Sequence, residues 1–329
     1  MNIDTSVEFI KLVRDTAREA ELRGELPEAV WDQVITANWL NLYLPADLRG
    51  MGMEFPEAVE ALEKLAWIDG SLGWTITLCS GAHWFLGYLD KTLQADLLIQ
   101  EGLCITGSGH AGGVTVPLDG GYWIKGEWQH ASGASRATYL TANFTMNGTV
   151  VAMLLDAKEV ELVKNWSTMG MKATASNGFR VAPQWIPARR AFDIDPERAT
   201  HPDPVFKLPF ELLAAYTLAA NITGMVKRFV ELAEHQARIS TQPFNQLRME
   251  LFEACRENWE QVKRGIHPGQ TAIGVACNEA RNLTRLGLVL VQNLYGYQSL
   301  AGAKEHTELN RVWRNIHTAA LHPLLRSIP

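Results

Sequence analysis

The sequence predicts an α+β fold, with an N-terminal helical domain, a central antiparallel β domain and a C-terminal four-helix bundle. Three observations predict it. Apolar residues recur at helical spacing through residues 1–102 and again from about 207. Between them lie short strand-like runs broken by glycine and Asn-Gly turns. Strands and helices never alternate, and no glycine-rich dinucleotide fingerprint follows a strand. The expected domains are 1–102, 103–194 and 195–329.

Thr5 with Glu8 forms a capping box ahead of a helix carrying Phe9, Ile10 and Val13. Pro27 suits the first turn of a second helix bearing Val30, Trp31, Val34 and Ile35. After the glycine-broken loop 48–55, Val59, Leu62 and Leu65 mark a third. Asp69-Gly-Ser-Leu-Gly-Trp74 interrupts it before a further apolar helix runs through His83. In the β region, Gly120-Gly121 precedes the run Tyr122–Trp128. Asn147-Gly148 separates Tyr139–Met146 from Thr149–Leu155, a hairpin signal. Val160–Val163 and Gly178–Ile186 follow, and Pro183 and Pro187 place the last strand near an edge or interrupt it. Four helices are then expected near 208–238, 244–264, 271–300 and 308–325, joined by short Pro- or Gly-containing connections.

The chain has 329 residues, 47% hydrophobic and 20% charged, which is ample for a buried core. A net charge of −6 offers no basic face to nucleic acid or anionic lipid. Eleven tryptophans are more than a plain core needs, because indole N–H groups seek partners. Cys79, Cys104, Cys255 and Cys277 form neither a C-x-x-C pair nor a zinc pattern. They read as free thiols in a reducing cytoplasm, and no metal is expected. The start lacks the features of a signal peptide, and no apolar run is long enough to span a membrane.

Four segments carry possible chemistry. Ile105-Thr-Gly-Ser-Gly-His-Ala-Gly-Gly113 lets a ligand approach the backbone and offers the Thr106 and Ser108 hydroxyls, although a β-turn would read the same way. Gly126–Gly133 ends in Ser132-Gly133, either a ligand-facing strand end or simply a tight one. Trp166–Asn177 is a loop rich in small and hydroxyl residues. In the final helix Arg311, Asn315 and His322 share a face, while His317 lies about 140° from His322. A helical histidine is more often structural, but an imidazole can also act as acid, base or donor near neutral pH.

Taken in order, these segments resemble the acyl-CoA dehydrogenase superfamily over nearly the whole chain. The resemblance rests on Leu44-Pro45, Gly50-Met-Gly52, Ala66–Trp74, Gly120–Trp128 with Ser132-Gly133, Met169–Ser176, Val181 and Ile186-Pro187. Dehydrogenases of that family most often carry a glutamate base soon after an Arg-Asp pair. Here the pair is Arg314-Asn315, His322 stands eight residues beyond Arg314, and no carboxylate side chain occurs from Ile316 to Pro329. The pattern Arg311–His322 instead resembles the two-component flavin-dependent monooxygenases.

That resemblance implies a flavin, FAD or FMN, supplied reduced by a separate flavin reductase. His322 is implied to sit where oxygen adds to the flavin, and Ser132 at the flavin N5 edge. Thr106, Ser108, Trp74, Gly133 and Asn315 are implied at the cofactor, and His83 and Ser108 at a small, possibly aromatic, substrate. It also implies a homo-oligomer, with a tetramer favoured over a dimer. An acyl-CoA dehydrogenase with an unusual base, or a catalytically silent flavin-binding member of the fold, are the competing readings.

Overall fold

The computed structural model describes residues 3, 5–234 and 239–326. Helices α1 (Val7–Arg23), α2 (Glu28–Thr36), α3 (Phe55–Ile68), α4 (Gly70–His83) and α5 (Lys91–Leu98) precede the sheet. The cap of α1 differs from expectation: Ser6, not Thr5, accepts the Phe9 N–H at 3.2 Å. Asp69 separates α3 from α4 and caps the latter, accepting from Ser71 and Leu72 N–H at 2.9 and 3.1 Å. α4 is buried almost all round, as befits a central helix.

The strands are β1 (Ile105–Leu118), β2 (Gly121–Ala131), β3 (Tyr139–Met146), β4 (Thr149–Asp156), β5 (Glu161–Val163), β6 (Asn177–Pro187) and β7 (Ala191–Phe192). They form one sheet in the order β5-β6-β2-β1-β3-β4-β7, antiparallel except for the β1–β3 pair. The Asn147-Gly148 turn has φ of 50° and 83°, the twist a two-residue hairpin demands. Pro183 is tolerated because β5 pairs only with Gly178–Arg180, leaving β6 open on that side beyond them. The glycine-rich stretch 105–113 is strand and not turn. Its spare residues are absorbed as register shifts between Ser108, Ala111 and Gly113.

The sheet is followed by α6 (Phe210–Leu232), α7 (Gln242–Lys263), α8 (Gln270–Tyr295) and α9 (Glu308–Ala319). α9 stops six residues short of the expected 325. Pro323 disfavours helical backbone at His322, and the chain leaves through a turn in which His322 N–H donates to the Ala319 carbonyl at 3.0 Å. His322 therefore does not belong to the helical face of Arg311 and Asn315.

Two cores result. One joins α1–α4 to α6–α9, and β4 contributes Ala152 and Leu154 to it. The other lies within the sheet around Trp128, Phe144 and Phe179, and takes Met153 and Leu155 from the same strand, alternating with the first pair. α3 and α6 touch so closely that a Cβ on Gly224 would stand 2.2 Å from the Glu63 carbonyl oxygen.

Candidate functional site

Four pieces of backbone converge beside α4. The first is α4 itself, where the Asp69 cap fixes the start and Trp74 follows one turn in. The Trp74 ring is 7% exposed and meets the His322 ring edge-on, at 5.7 Å between centroids.

The second is the end of β2. Between Trp128 and Ala131 the pairing with β6 slips by one residue. His130 occupies this bulge with φ of +65°, a left-handed conformation that is uncommon for histidine. Its side chain is exposed, and its ring lies 5.7 Å from that of Trp166. Ser132 and Gly133 follow. Ser132 is 3% exposed, and its hydroxyl shares a 2.8 Å hydrogen bond with Ser176. Its carbonyl accepts from the Thr106 hydroxyl. The Gly133 N–H donates to the Thr174 carbonyl at 2.8 Å.

The third piece is the loop 164–176. Trp166 Nε1–H donates to the Met171 carbonyl at 2.8 Å, and the Met171 N–H donates to Asn315 Oδ1 at 2.6 Å. Gly170 is needed here, since a Cβ on it would stand 2.1 Å from the Arg314 carbonyl oxygen. The loop is thereby clamped onto α9. Arg314 completes the clamp. Its guanidinium reaches both Glu21 carboxylate oxygens of α1 at 2.7 and 2.8 Å, and the Met169 carbonyl at 2.7 Å.

The fourth piece is the turn after α9. His322 Nδ1 accepts the Leu324 N–H at 3.3 Å, so the neutral ring carries its proton on Nε2 and presents it as a donor. Burial, assisted by the positive potential of His130, lowers the His322 pKa to about 4, which keeps the ring neutral at physiological pH. His317 is elsewhere. Its Nδ1–H donates to the Trp313 carbonyl at 2.8 Å, and its ring stacks on Trp313, which stacks on Tyr295.

The structure thus gathers Trp74, Ser132, Gly133 and His322 around α4 and gives three other candidates partners inside the protein. His83 is fully buried: Nε2 accepts the Ile105 N–H at 2.8 Å and Nδ1–H donates to Asn41 Oδ1 at 2.7 Å. Both nitrogens are spent on holding α4 to β1, so His83 has no group left to orient a substrate. Thr106 is 1% exposed and supports the Ser132 carbonyl from behind instead of reaching a ligand. Asn315 is 1% exposed and serves the loop backbone. Ser108 is half-buried on β1, where its oxygen accepts the His110 N–H at 3.4 Å.

Sequence reasoning passed over His130, Thr174 and Ser176. The hydroxyls were visible as a polar loop, but their mutual bonding depends on left-handed backbone at Met171 (φ 54°) and Ala175 (φ 47°), which neither residue type advertises. Nothing in the sequence marks the bulge that turns His130 outward. Two open clefts lie elsewhere. One of about 440 Å³ is lined by charged residues of α3, α6 and α7, including Glu63, Lys227 and Arg248. The other, of about 230 Å³, lies between Val34, Asn38 and Leu98. Neither cleft is lined by Trp74, Ser132 or His322. Among the described residues, no three His, Cys, Asp or Glu side chains are placed to hold a metal. No helix of the described residues is long and apolar enough to cross a membrane.

Comparison with known proteins gives the geometry its context. The acyl-CoA dehydrogenase N-terminal domain family matches residues 4–89. The oxygenase subunit HsaA of a flavin-dependent monooxygenase from Mycobacterium tuberculosis is 22% identical, over 94% of this chain and 88% of that protein. The crystal structure of M. tuberculosis HsaA superposes with a TM-score of 0.89 at 20% identity, covering 98% of this chain and 93% of that one. XiaF from Streptomyces sp., solved with FADH2 and glycerol, superposes with a TM-score of 0.87 at 18% identity, covering 97% and 91%. Residues 4–89 thus match the acyl-CoA dehydrogenase N-terminal domain family, the chain has the acyl-CoA dehydrogenase-like fold, and it is similar in sequence to HsaA, an oxygenase subunit of a flavin-dependent monooxygenase.

Proposed function

We propose that this chain is the oxygenase component of a two-component flavin-dependent monooxygenase. It takes reduced flavin, FAD or FMN, from a separate reductase and uses oxygen to hydroxylate a small aromatic substrate. The observation that carries this reading is His322, an imidazole kept neutral by burial, with Nδ1 occupied and Nε2–H left to donate. A dehydrogenase of this fold needs a base to remove a proton from its substrate. The segment after α9 carries no carboxylate, and its histidine is instead arranged as a donor.

The residues around α4 suit a flavin. Trp74 and Trp166 offer flat aromatic surfaces, and Ser132, His130 and His322 offer polar atoms. Thr75 Oγ1, beside Gly133, is a buried hydroxyl without a hydrogen-bond partner. When bound, the flavin supplies the activation of oxygen. Trp74 and the loop 164–176 would shield the bound group from water, Ser132 would hold the ring edge, and His322 would offer its Nε2–H as a donor beside it.

The same reading places a homo-oligomer, a tetramer before a dimer, and a cytoplasmic setting. Exposed apolar side chains support the first, namely Val275 and Val289 on α8 and the cross-strand row Val116, Trp123 and Trp185 on the sheet. The free cysteines agree with the second. The division at 102/103 and 194/195 remains our proposal for the domain boundaries.

The reading is tested by reconstitution. The protein with NADH and flavin alone is expected to turn over no phenolic substrate, whereas added flavin reductase restores hydroxylation. Rapid reduction of bound flavin by NADH without a reductase contradicts it.

A further inference from the structure

Behind Ser132 stands a chain of three buried hydroxyls. Thr174 is 1% exposed, and Ser176 and Ser132 are each 3% exposed. The Thr174 hydroxyl donates to the Met171 carbonyl at 2.8 Å, and a carbonyl can only accept. Thr174 has one hydroxyl proton, so in its 2.6 Å contact with Ser176 it must accept. Ser176 has then used its own proton, so in the 2.8 Å contact with Ser132 it too must accept. The direction of the whole chain is fixed by the carbonyl at its far end. The Ser132 proton points inward, and towards any ligand its oxygen can only accept.

The backbone is bent to build this chain. Met171 and Ala175 both adopt left-handed φ, at 54° and 47°, with no glycine at either position. Such conformations cost free energy and persist where the surroundings over-determine them. Here the Met171 N–H is held by Asn315, the Met171 carbonyl receives Thr174, and the left-handed turn at Ala175 brings Thr174 and Ser176 onto the same side.

We propose that the relay Thr174–Ser176 makes Ser132 a reader of the flavin's redox state. This rests on the reading that a flavin presents its N5 edge to Ser132. Reduced flavin carries a hydrogen on N5 and donates, whereas oxidised flavin has a bare N5 lone pair and must accept. A serine locked as an acceptor welcomes the first and opposes the second. Thr174 and Ser176 act through Ser132 and are positioning residues. An oxygenase that receives reduced flavin from elsewhere and must let oxidised flavin go needs this discrimination.

The test is anaerobic titration of the full chain with FAD and with FMN, each oxidised and each reduced by dithionite. Wild type is expected to hold the reduced form of one of them about tenfold more tightly or better, the upper range of one well-placed hydrogen bond against one mismatched pair. In Ser176→Ala the Ser132 proton is released to serve N5. Reduced-flavin affinity then falls and oxidised-flavin affinity rises, shrinking the ratio about fivefold. Thr174→Val moves both in the same directions and decides the matter should Ser176→Ala not fold. Loss of packing would weaken both forms together, so opposite movement is the signature. Equal affinities in wild type, an unchanged ratio in the variants, or parallel weakening each overturn the relay. A wild type that prefers reduced flavin, with variants that keep the preference, overturns the relay and leaves the oxygenase reading standing. A wild type that binds neither form overturns both.

Discussion

His83 and His322 are both held neutral by burial, but for different ends. His83 is pushed down to about 3, and both its nitrogens are used inside the protein. His322 is pushed down to about 4 and keeps Nε2–H uncommitted to the backbone contact at Nδ1. In the unfolded chain both titrate near the ordinary histidine value of about 6.5. Between the folded and unfolded values the unfolded state binds more protons, so stability is fully present above about pH 6.5 and falls as pH drops towards 4. Each histidine contributes a slope of up to about 1.4 kcal/mol per pH unit in that window. Urea unfolding of wild type and His83→Asn between pH 4.5 and 7.5 is expected to show a flatter pH dependence in the variant. Parallel curves would mean that His83 is not buried as the neutral ring.

The two histidines also show what the sequence disclosed at this scale. In the sequence, the distance of His322 from Arg314 and the missing carboxylate single it out as a candidate. The route by which it reaches the site was not legible. Helical arithmetic placed it on the face of Asn315, yet Pro323 ends the helix and the turn carries His322 to Trp74. The structural use of His83 was not legible, because the partners that engage its ring, Asn41 and Ile105, are 42 and 22 residues away.

At the scale of elements, α9 is the keystone. Arg314 is 7% exposed in its side chain and bridges α1, the loop 164–176 and its own helix neighbour Asn310. Removing one partner of a buried ion pair leaves the other charge uncompensated, which typically costs about 3–5 kcal/mol. Arg314→Ala is therefore expected to lower unfolding free energy by about that amount and to expose the 164–176 loop to proteolysis. A loss of about 1 kcal/mol or less, the worth of a surface pair, would show that the clamp does not act as described. The sequence disclosed the elements themselves well wherever local chemistry decides them. Asn147-Gly148 fixed the hairpin, and Asp69 fixed the break between α3 and α4. It disclosed β1 poorly, because four glycines between 107 and 113 read as turn while the cross-strand pairing of β1 with β2 and β3 keeps the segment extended.

The whole molecule is divided differently in sequence and in space. Helices from before and after the sheet share one core, and ion pairs cross it. Glu63 of α3 is bound in a fork by Arg248 of α7, with Lys227 of α6 beside it at 3.4 Å. Linear reading separates residues 1–102 from 195–329, since periodicity says which face of a helix is apolar but not which other helix covers it. The shared core predicts that both helical portions unfold together. Tryptophan fluorescence and far-ultraviolet circular dichroism should report one coincident urea transition for them. Two separated helical transitions would refute the shared core.

In the proposed function, a neutral His322 would donate at the reactive edge of a reduced flavin. That role is tested most directly by the fate of oxygen. Wild type, His322→Ala and His317→Ala, each loaded anaerobically with reduced flavin, are mixed with oxygen and a phenolic substrate, and product and hydrogen peroxide are both measured. Removing one positioned donor should cut product about tenfold to a thousandfold in His322→Ala, with peroxide rising to account for the oxygen consumed, while His317→Ala changes little. Unchanged coupling in folded His322→Ala, or a greater loss in His317→Ala, would contradict the account.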